Sequence, residues 1–280
     1  MNRNMQKRAP SGRTVVRRRK KKVNKFGRLL LVMFIAALLL VGIICIVGTA
    51  LGYRYIKVET DEGTIKYFGT VDSTGSLKKG TLYFSEGNRG TVDGETSSIT
   101  YSNGDKYIGG LSQLRKQGKG RYIYANGDVY EGNFDDNQFN GQGTFIYANG
   151  DTYTGNYKDG LMDGYGTYKW ASGSSYTGEF KENKRNGLGK FSLSEEVYYE
   201  GTFVNDAKHG KGKFVFASGD VYEGDYENDV RTGNGTYTWA NGEIYSGQFL
   251  NNDLHGYGKY TWPSGRVYEG NFYQGQIVTN

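Results

Sequence analysis

The sequence predicts an all-β repeat array, an elongated single-layer twisted sheet of about eight 23-residue β-hairpins, preceded by one transmembrane α-helix. Three observations predict it. Tyrosine recurs as Tyr107, Tyr130, Tyr153, Tyr176, Tyr199, Tyr222, Tyr245 and Tyr268, every step being 23 residues. A glycine follows each of them two places on, and a large apolar residue two further, as in Tyr130-Glu131-Gly132-Asn133-Phe134. An uncharged run of 23 residues, Leu29 to Leu51, precedes them all.

Glycine numbers 44 of 280 and tyrosine 25 against two prolines, which excludes collagen-like and proline-rich disordered chains and points to strands and turns. Residues 1–28 hold twelve Lys or Arg and no acid, so this tail carries the formal charge of +6; the remaining 23 basic and 29 acidic residues leave −6. Arg17, Arg18, Arg19, Lys20, Lys21 and Lys22, followed by Lys25 and Arg28, would by themselves suit nucleic acid. Their place directly before an apolar run makes them a topology signal and a contact for anionic lipid head groups. No nucleic-acid partner is expected. The tail is read as disordered and cytoplasmic, the repeats as lying outside the cytoplasm, in a single-pass protein of the cell membrane.

Residues 29–51, at ~1.5 Å per residue, cross a hydrocarbon core of about 30 Å. The run exceeds the ~7–15 apolar residues of a signal peptide, so a membrane span is favoured over cleavage, although Gly48 and Ala50 offer small residues before a cut. The single cysteine, Cys45, lies inside the run after Ile44, where a lipoprotein site wants a small residue; it reads as a lipid-facing thiol, and no disulfide within the chain is possible.

Residues 52–103 show the repeat only faintly, in Tyr67-Phe68-Gly69 and Gly80-Thr81-Leu82, with Tyr67 and Tyr107 40 residues apart rather than 46. Degenerate repeats serving as a cap are expected there. From 104 to 280 the array is regular. Alternation puts Tyr, Gly and Phe of the first strand on one face, and Gly118, Gly120, Tyr122 and Tyr124 of the second strand on one face.

A two-residue Asn126-Gly127 turn would send the two aromatic sets to opposite faces. A three-residue loop, Ala125-Asn126-Gly127, pairs Tyr124 with Asp128, Tyr122 with Tyr130, Gly120 with Gly132 and Gly118 with Phe134, and keeps all aromatics together. Six-residue polar links such as Asp135–Asn140 then join the hairpins, pairing Tyr130 with Phe145 and Gly132 with Gly143. Each hairpin advances roughly 10 Å, and aromatic rows packed over glycines replace the missing second layer.

These units resemble the MORN (membrane occupation and recognition nexus) repeat, roughly Y-E-G-x-[WF]-x-x-G-x-x-x-G-x-G. Tyr-Glu-Gly-Asn-Phe at Tyr130 and Tyr268, Tyr-Glu-Gly-Thr-Phe at Tyr199, and the His-Gly-x-Gly segments at His209 and His255 carry the likeness, which covers about residues 100–275. The resemblance implies a twisted ribbon of hairpins used for attachment or dimerisation, sometimes near membranes and phospholipids, with no enzymatic activity of its own.

The predicted binding groove has the glycine row as its floor and aromatic rows as its walls: Tyr122, Tyr130, Gly132, Phe134, Phe145, Tyr153, Gly155, Tyr157, Tyr168, Trp170, Tyr176, Tyr222, Tyr237, Trp239, Tyr245, Tyr260, Trp262 and Tyr268. A second candidate is the irregular unit with Lys184, Arg185, Leu193, Glu195 and Glu196. There an aromatic is missing, Ser194-Glu195-Glu196 replaces the glycine-containing turn, and Glu196 falls where a left-handed residue is expected. His209 and His255 are two periods apart, about 20 Å, too far to share a metal. The row Asp105, Asp128, Asp151 and Asp220 supplies one carboxylate per ~10 Å, too few for calcium and suited to turns. Neither phosphate-loop nor nucleophile motifs occur, so neither an enzyme nor a cofactor is expected. The expected function is a scaffold that binds a protein partner or itself along the aromatic face. Alternatives are a cell-wall or glycan-binding module, with the tryptophans stacking on sugars, and lipid contact by the ribbon.

Overall fold

The computed structural model describes residues 25–60 and 63–279, which fall into two units divided between Leu51 and Gly52. The basic cluster Arg17–Lys22 lies outside the described residues.

The first unit contains one helix, Lys25–Ala50, and its segment Arg28–Ala50 is long and apolar enough to cross a membrane. It begins before the apolar run because Lys and Arg are good helix formers. It stops one residue short of Leu51: the Leu51 N–H closes the last turn on the Val47 carbonyl at 3.0 Å, and Gly52, at φ +82°, takes the left-handed conformation that ends helices.

The second unit is one antiparallel meander, from Tyr53–Thr60 to Gln276–Ile277, in which each strand pairs with the next along the chain. The expected register is observed. Tyr122 pairs with Tyr130, Gly120 with Gly132 and Gly118 with Phe134 across the hairpin, and Tyr130 with Phe145 and Gly132 with Gly143 across the link. The three-residue loop closes through the Tyr124 N–H on the Asp128 carbonyl at 2.9 Å, with Gly127 at φ +96°.

The links are not six-residue loops. The strands continue to Asp135 and restart at Gln138, leaving the two-residue turn Asp136-Asn137 at φ 48° and 71°. Both central residues are left-handed, as in a type I′ turn, which matches the twist of the flanking strands. The remaining residues form a bulge, in which Asn133 alone faces Asn140–Gln142. Gly141, at φ +72°, supplies the left-handed residue the bulge needs, so the pattern keeps its faces while the hairpin tightens.

The bulge also builds the core. Tyr130 is fully buried, its ring on Gly143, where any Cβ would collide with it. Its hydroxyl donates at 2.9 Å to the carbonyl of Asn133, the residue opposite the bulge, so the fully buried phenol has a half-buried acceptor. Tyr130 meets Phe134 and Tyr157 edge-on, at ring centroids 5.2 and 5.3 Å apart. Tyr153 then meets Tyr157 and Phe180 the same way, and the edge-to-face chain runs on to Tyr268 and Phe272. Tyr67 repeats the arrangement near the start of the unit, its hydroxyl 2.8 Å from the Thr70 carbonyl. The unit thus has a core on one face only.

Each edge of the sheet carries its own ties. At the three-residue loops, Asp151 accepts from the Ala171 N–H at 2.8 Å and the Tyr168 hydroxyl at 2.9 Å, one repeat onward. Asp105, Asp128 and Asp220 likewise hold the N–H groups of Ala125, Ala148 and Ala240. The aspartate row is therefore a set of turn clamps. At the type I′ edge, Asn137 exchanges two hydrogen bonds with the backbone of Lys116, and Asp206 does so with Arg185.

Candidate functional site

The aromatic face divides the predicted groove residues into two sets. Tyr130, Tyr153, Tyr176, Tyr222 and Tyr245 are 0% exposed, and Phe134, Tyr157 and Gly155 are buried with them, so these form the core and offer nothing to a partner. The groove floor expected over the glycines is filled, because the same missing side chains that would open it admit the tyrosine rings. An open groove does exist over the glycine backbone, but on the opposite, polar face. It encloses about 1000 Å³ between Glu200, Lys211, Lys213, Glu223, Lys259 and Glu269.

The second set stays half-exposed: Tyr122, Phe145, Tyr168, Trp170, Tyr237, Trp239, Tyr260, Trp262 and Tyr268, with Gly132. All but Tyr268 and Gly132 belong to a ladder of rings on the loop side, to which Tyr124, Tyr147 and Phe216 also contribute. From Tyr101 the contacts pass through Tyr122, Tyr124, Phe145, Tyr147, Tyr168 and Trp170 to Phe191, at 4.5–5.9 Å between centroids. A second run goes from Phe214 through Phe216, Tyr237, Trp239 and Tyr260 to Trp262. Burial pushes up the phenols of Tyr237 and Tyr260, both to about 12, with Asp220 and Glu243 respectively adding to the shift.

The break between the runs falls at the irregular unit, where Leu193 stands exposed in place of a ring. The loop there is also untied. Ser174 and Val197 occupy the clamp positions on either side of it, so the aspartate ties present before and after are absent at this turn. The expected left-handed Glu196 is not found. Leu193 N–H and Ser194 N–H both bond the Val197 carbonyl, and Ser194 Oγ accepts from the Val197 N–H, a loop that avoids positive φ altogether. Nor are the two halves of this candidate brought together: Lys184 and Arg185 begin the strand Lys184–Ser192, and Glu195 and Glu196 follow its other end.

One periodic row escaped the sequence reading although its period was visible. Lys116, Phe139, Met162, Arg185, Lys208, Arg231 and Leu254 recur every 23 residues. Phe139 stacks on Tyr130 at 3.7 Å, covering the buried ring from the side opposite the glycines. In three consecutive repeats the cover is cationic. Arg185 Cζ lies 5.3 Å from the Phe191 ring, Lys208 Nζ 5.1 Å from Phe214, and Arg231 Cζ 5.3 Å from Tyr237. The mixed chemistry of the row, aliphatic, aromatic and basic, hides a positional constraint that is purely steric. Of the predicted lipid contacts, Lys25 and Arg28 fall in the helix, and Arg28 is exposed. Among the described residues no group of three or more His, Cys, Asp or Glu side chains stands ready to hold a metal.

A profile of the MORN repeat matches seven segments, residues 107–129, 130–152, 153–175, 176–194, 199–221, 222–244 and 245–265. The gap at 195–198 is the irregular loop. No curated protein matches the chain. Among solved structures, the TCP10 domain of Danio rerio CPAP in complex with a peptide of Danio rerio STIL is 14% identical over 81% of this chain and 98% of that one, with a TM-score of 0.42. The SAS-4 (dCPAP) TCP domain of Drosophila melanogaster, in complex with a proline-rich motif of Ana2 (dSTIL), is 15% identical over 62% and 88%, at 0.36. A streptogramin B lyase is 13% identical over 80% and 84%, at 0.15. None of the three scores reaches the level that implies a shared fold. The repeat profile, in contrast, falls in register with the observed hairpins across more than half of the chain, and the protein belongs to the MORN repeat family.

Proposed function

We propose that the protein is a membrane-anchored scaffold that holds a protein partner along its aromatic ladder, outside the cytoplasm. The observation that carries this is the ladder itself: two runs of half-exposed rings crossing many strands, packed against the core on one side and open to solvent on the other. Rows of exposed apolar surface on a rigid scaffold mark interaction sites. The helix Arg28–Ala50 would be the anchor, and the twelve basic residues before Leu29 support a cytoplasmic amino terminus. A protein partner is preferred over a glycan because Trp262 has the Arg266 guanidinium 3.7 Å over its ring and Trp170 abuts Phe191, so neither offers a clear face for a sugar.

Site-directed photo-crosslinking in intact cells tests the reading. A benzophenone amino acid at Trp239 should yield an adduct with a discrete partner, and one at Thr167 on the polar face should not. Adducts from Thr167 alone, or from neither position, would sink the ladder as the binding surface. Protease added outside intact cells should digest the repeats; protection until lysis would reverse the orientation.

A further inference from the structure

Arg185, Lys208 and Arg231 stand in three successive repeats, each half-buried against rings and each beside a half-exposed ring of the ladder. The residues at the equivalent place before and after, Met162 and Leu254, are uncharged, so the cationic stretch is three steps long. Its charge is incompletely balanced within the sheet. Asp206 lies 3.2 Å from Arg185 and Asp229 3.9 Å from Lys208, whereas Arg231 meets Asn252, to whose carbonyl it donates at 3.0 Å. Burial holds the Lys208 ammonium below the usual lysine range; Asp229 opposes this, and the positive charges of Arg185 and Arg231 add to it. An anion brought to this row would relieve that repulsion.

The spacing of the row selects the shape of such an anion. Successive repeats are two strands apart, about 9.6 Å along the sheet. A β-strand laid across them would turn alternate side chains away. A polyproline-II chain rises ~3.1 Å per residue with three residues per turn, so every third side chain returns to the same face after about 9.3 Å. Its remaining residues, proline among them, would lie against the ladder rings between the cations.

Resting on the scaffold reading above, we propose that Arg185, Lys208 and Arg231 bind an extended polyproline-II segment of the partner that carries a carboxylate at every third residue. The segment runs along the sheet, across the strands, one acidic side chain to each cation.

The test is fluorescence anisotropy of dye-labelled peptides with the full chain in lipid nanodiscs. Three Pro-Pro-Glu triplets should bind, with an affinity that falls as salt rises. Pro-Pro-Gln triplets should bind about tenfold more weakly or not at all, and so should a peptide of equal composition with its glutamates spaced by two. R231M places at this position the residue that the array already uses at Met162, so the fold is kept; it should weaken the Pro-Pro-Glu peptide about tenfold. M162R should strengthen a peptide of four triplets, a gain that a merely destabilised protein cannot show. The proposal is overturned if Pro-Pro-Glu does not bind, if spacing is without effect, or if R231M and M162R leave the affinity unchanged. Failure of the peptides while Trp239 still crosslinks to a partner removes only this assignment; loss of the Trp239 adduct removes the scaffold reading itself.

Discussion

Tyr153 donates its hydroxyl to the carbonyl of Asn156, three residues along its own strand, at 3.0 Å, while its ring lies on the glycine pair Gly155 and Gly166. One side chain thereby fills the face of the sheet and bonds the carbonyl of the residue that stands opposite the bulge of the next strand. The relationship recurs at Tyr130 and Asn133, Tyr176 and Glu179, and Tyr222 and Asp225. Removing the hydroxyl alone, by Tyr153→Phe, leaves the half-buried Asn156 carbonyl without this donor and should cost about 1 kcal/mol. A urea midpoint equal to that of the unmodified protein would show that water replaces the phenol.

Gly155→Val tests the other half of the arrangement. A Cβ at this position would stand 2.5 Å from Gly166 Cα and 2.5 Å from the Tyr153 hydroxyl oxygen, and the backbone atom cannot swing away as a side chain would. Although valine suits strands, overpacking here should lower stability by about 3 kcal/mol. Gly173→Ala, at a loop glycine with nothing within 4 Å, should cost less, its penalty arising from φ +95° alone. A larger loss at Gly173 than at Gly155 would contradict the packing.

The buried tyrosines also predict an alkaline limit. Burial pushes the Tyr153 phenol up to about 12, and Tyr222 likewise to about 12, from an ordinary value of 10.0. The folded state therefore holds these protons more tightly than the unfolded chain, and the stability they contribute is fully present below pH 10.0 and lost as pH rises toward 12. Thermal melts should stay level to about pH 10 and then fall, and the part of the tyrosinate absorbance that Tyr153→Phe and Tyr222→Phe remove should appear only as the protein unfolds, whatever the exposed tyrosines such as Tyr165 contribute. That part appearing while the circular dichroism is still native would place these two phenols in solvent.

At the other edge, the irregular loop should be the least protected of the array. Restoring consensus with S194A, E195N, E196G and V197D supplies a left-handed glycine and a carboxylate aimed at the Ala217 N–H, the place that Asp220 fills for Ala240. The denaturant midpoint should rise and amide exchange around residues 193–217 should slow. Asp151→Ala is the reverse change and should lower the midpoint while speeding exchange at Ala171. The clamp is itself acid-sensitive. The Ala171 N–H first, then the Tyr168 and Asn149 side chains, hold the Asp151 carboxyl below the usual range against a smaller opposing effect of burial, so its contribution is present above about pH 4 and lost as pH falls through the folded-state value.

Because each hairpin touches mainly its neighbours, deletion of one whole unit, Gly141–Asp163, should leave a shorter array of the same register. Deletion of eleven residues inverts one strand's faces and should cost far more. Equal melting of the two deletions would argue against a nearest-neighbour solenoid.

The legible part of this protein was everything governed by period. Spacing of 23 and alternation of two place Tyr130, Gly132 and Phe134 on one face, and the parity argument alone selects the three-residue loop over Asn126-Gly127. The two-residue link was not legible, since Asp136-Asn137 reads as polar loop and its left-handed geometry depends on the bulge at Asn133. The cover row of Phe139, Met162, Arg185 and Lys208 was missed because its members share a position and no chemistry.

By itself, then, the sequence determined the repeat, its register, the family and an apolar segment long enough for a membrane, because periodic hydrophobicity and strand parity leave one solution. Only the tertiary structure decided which aromatics are surface. Whether a ring walls a groove or fills it depends on whether it can lie down on a neighbouring strand. Tyr153 can, because Gly155 and Gly166 sit opposite each other, and Trp239, whose register position lies beyond the glycines, cannot. That contact joins atoms of two strands brought together by pairing, and no spacing along a single strand contains it.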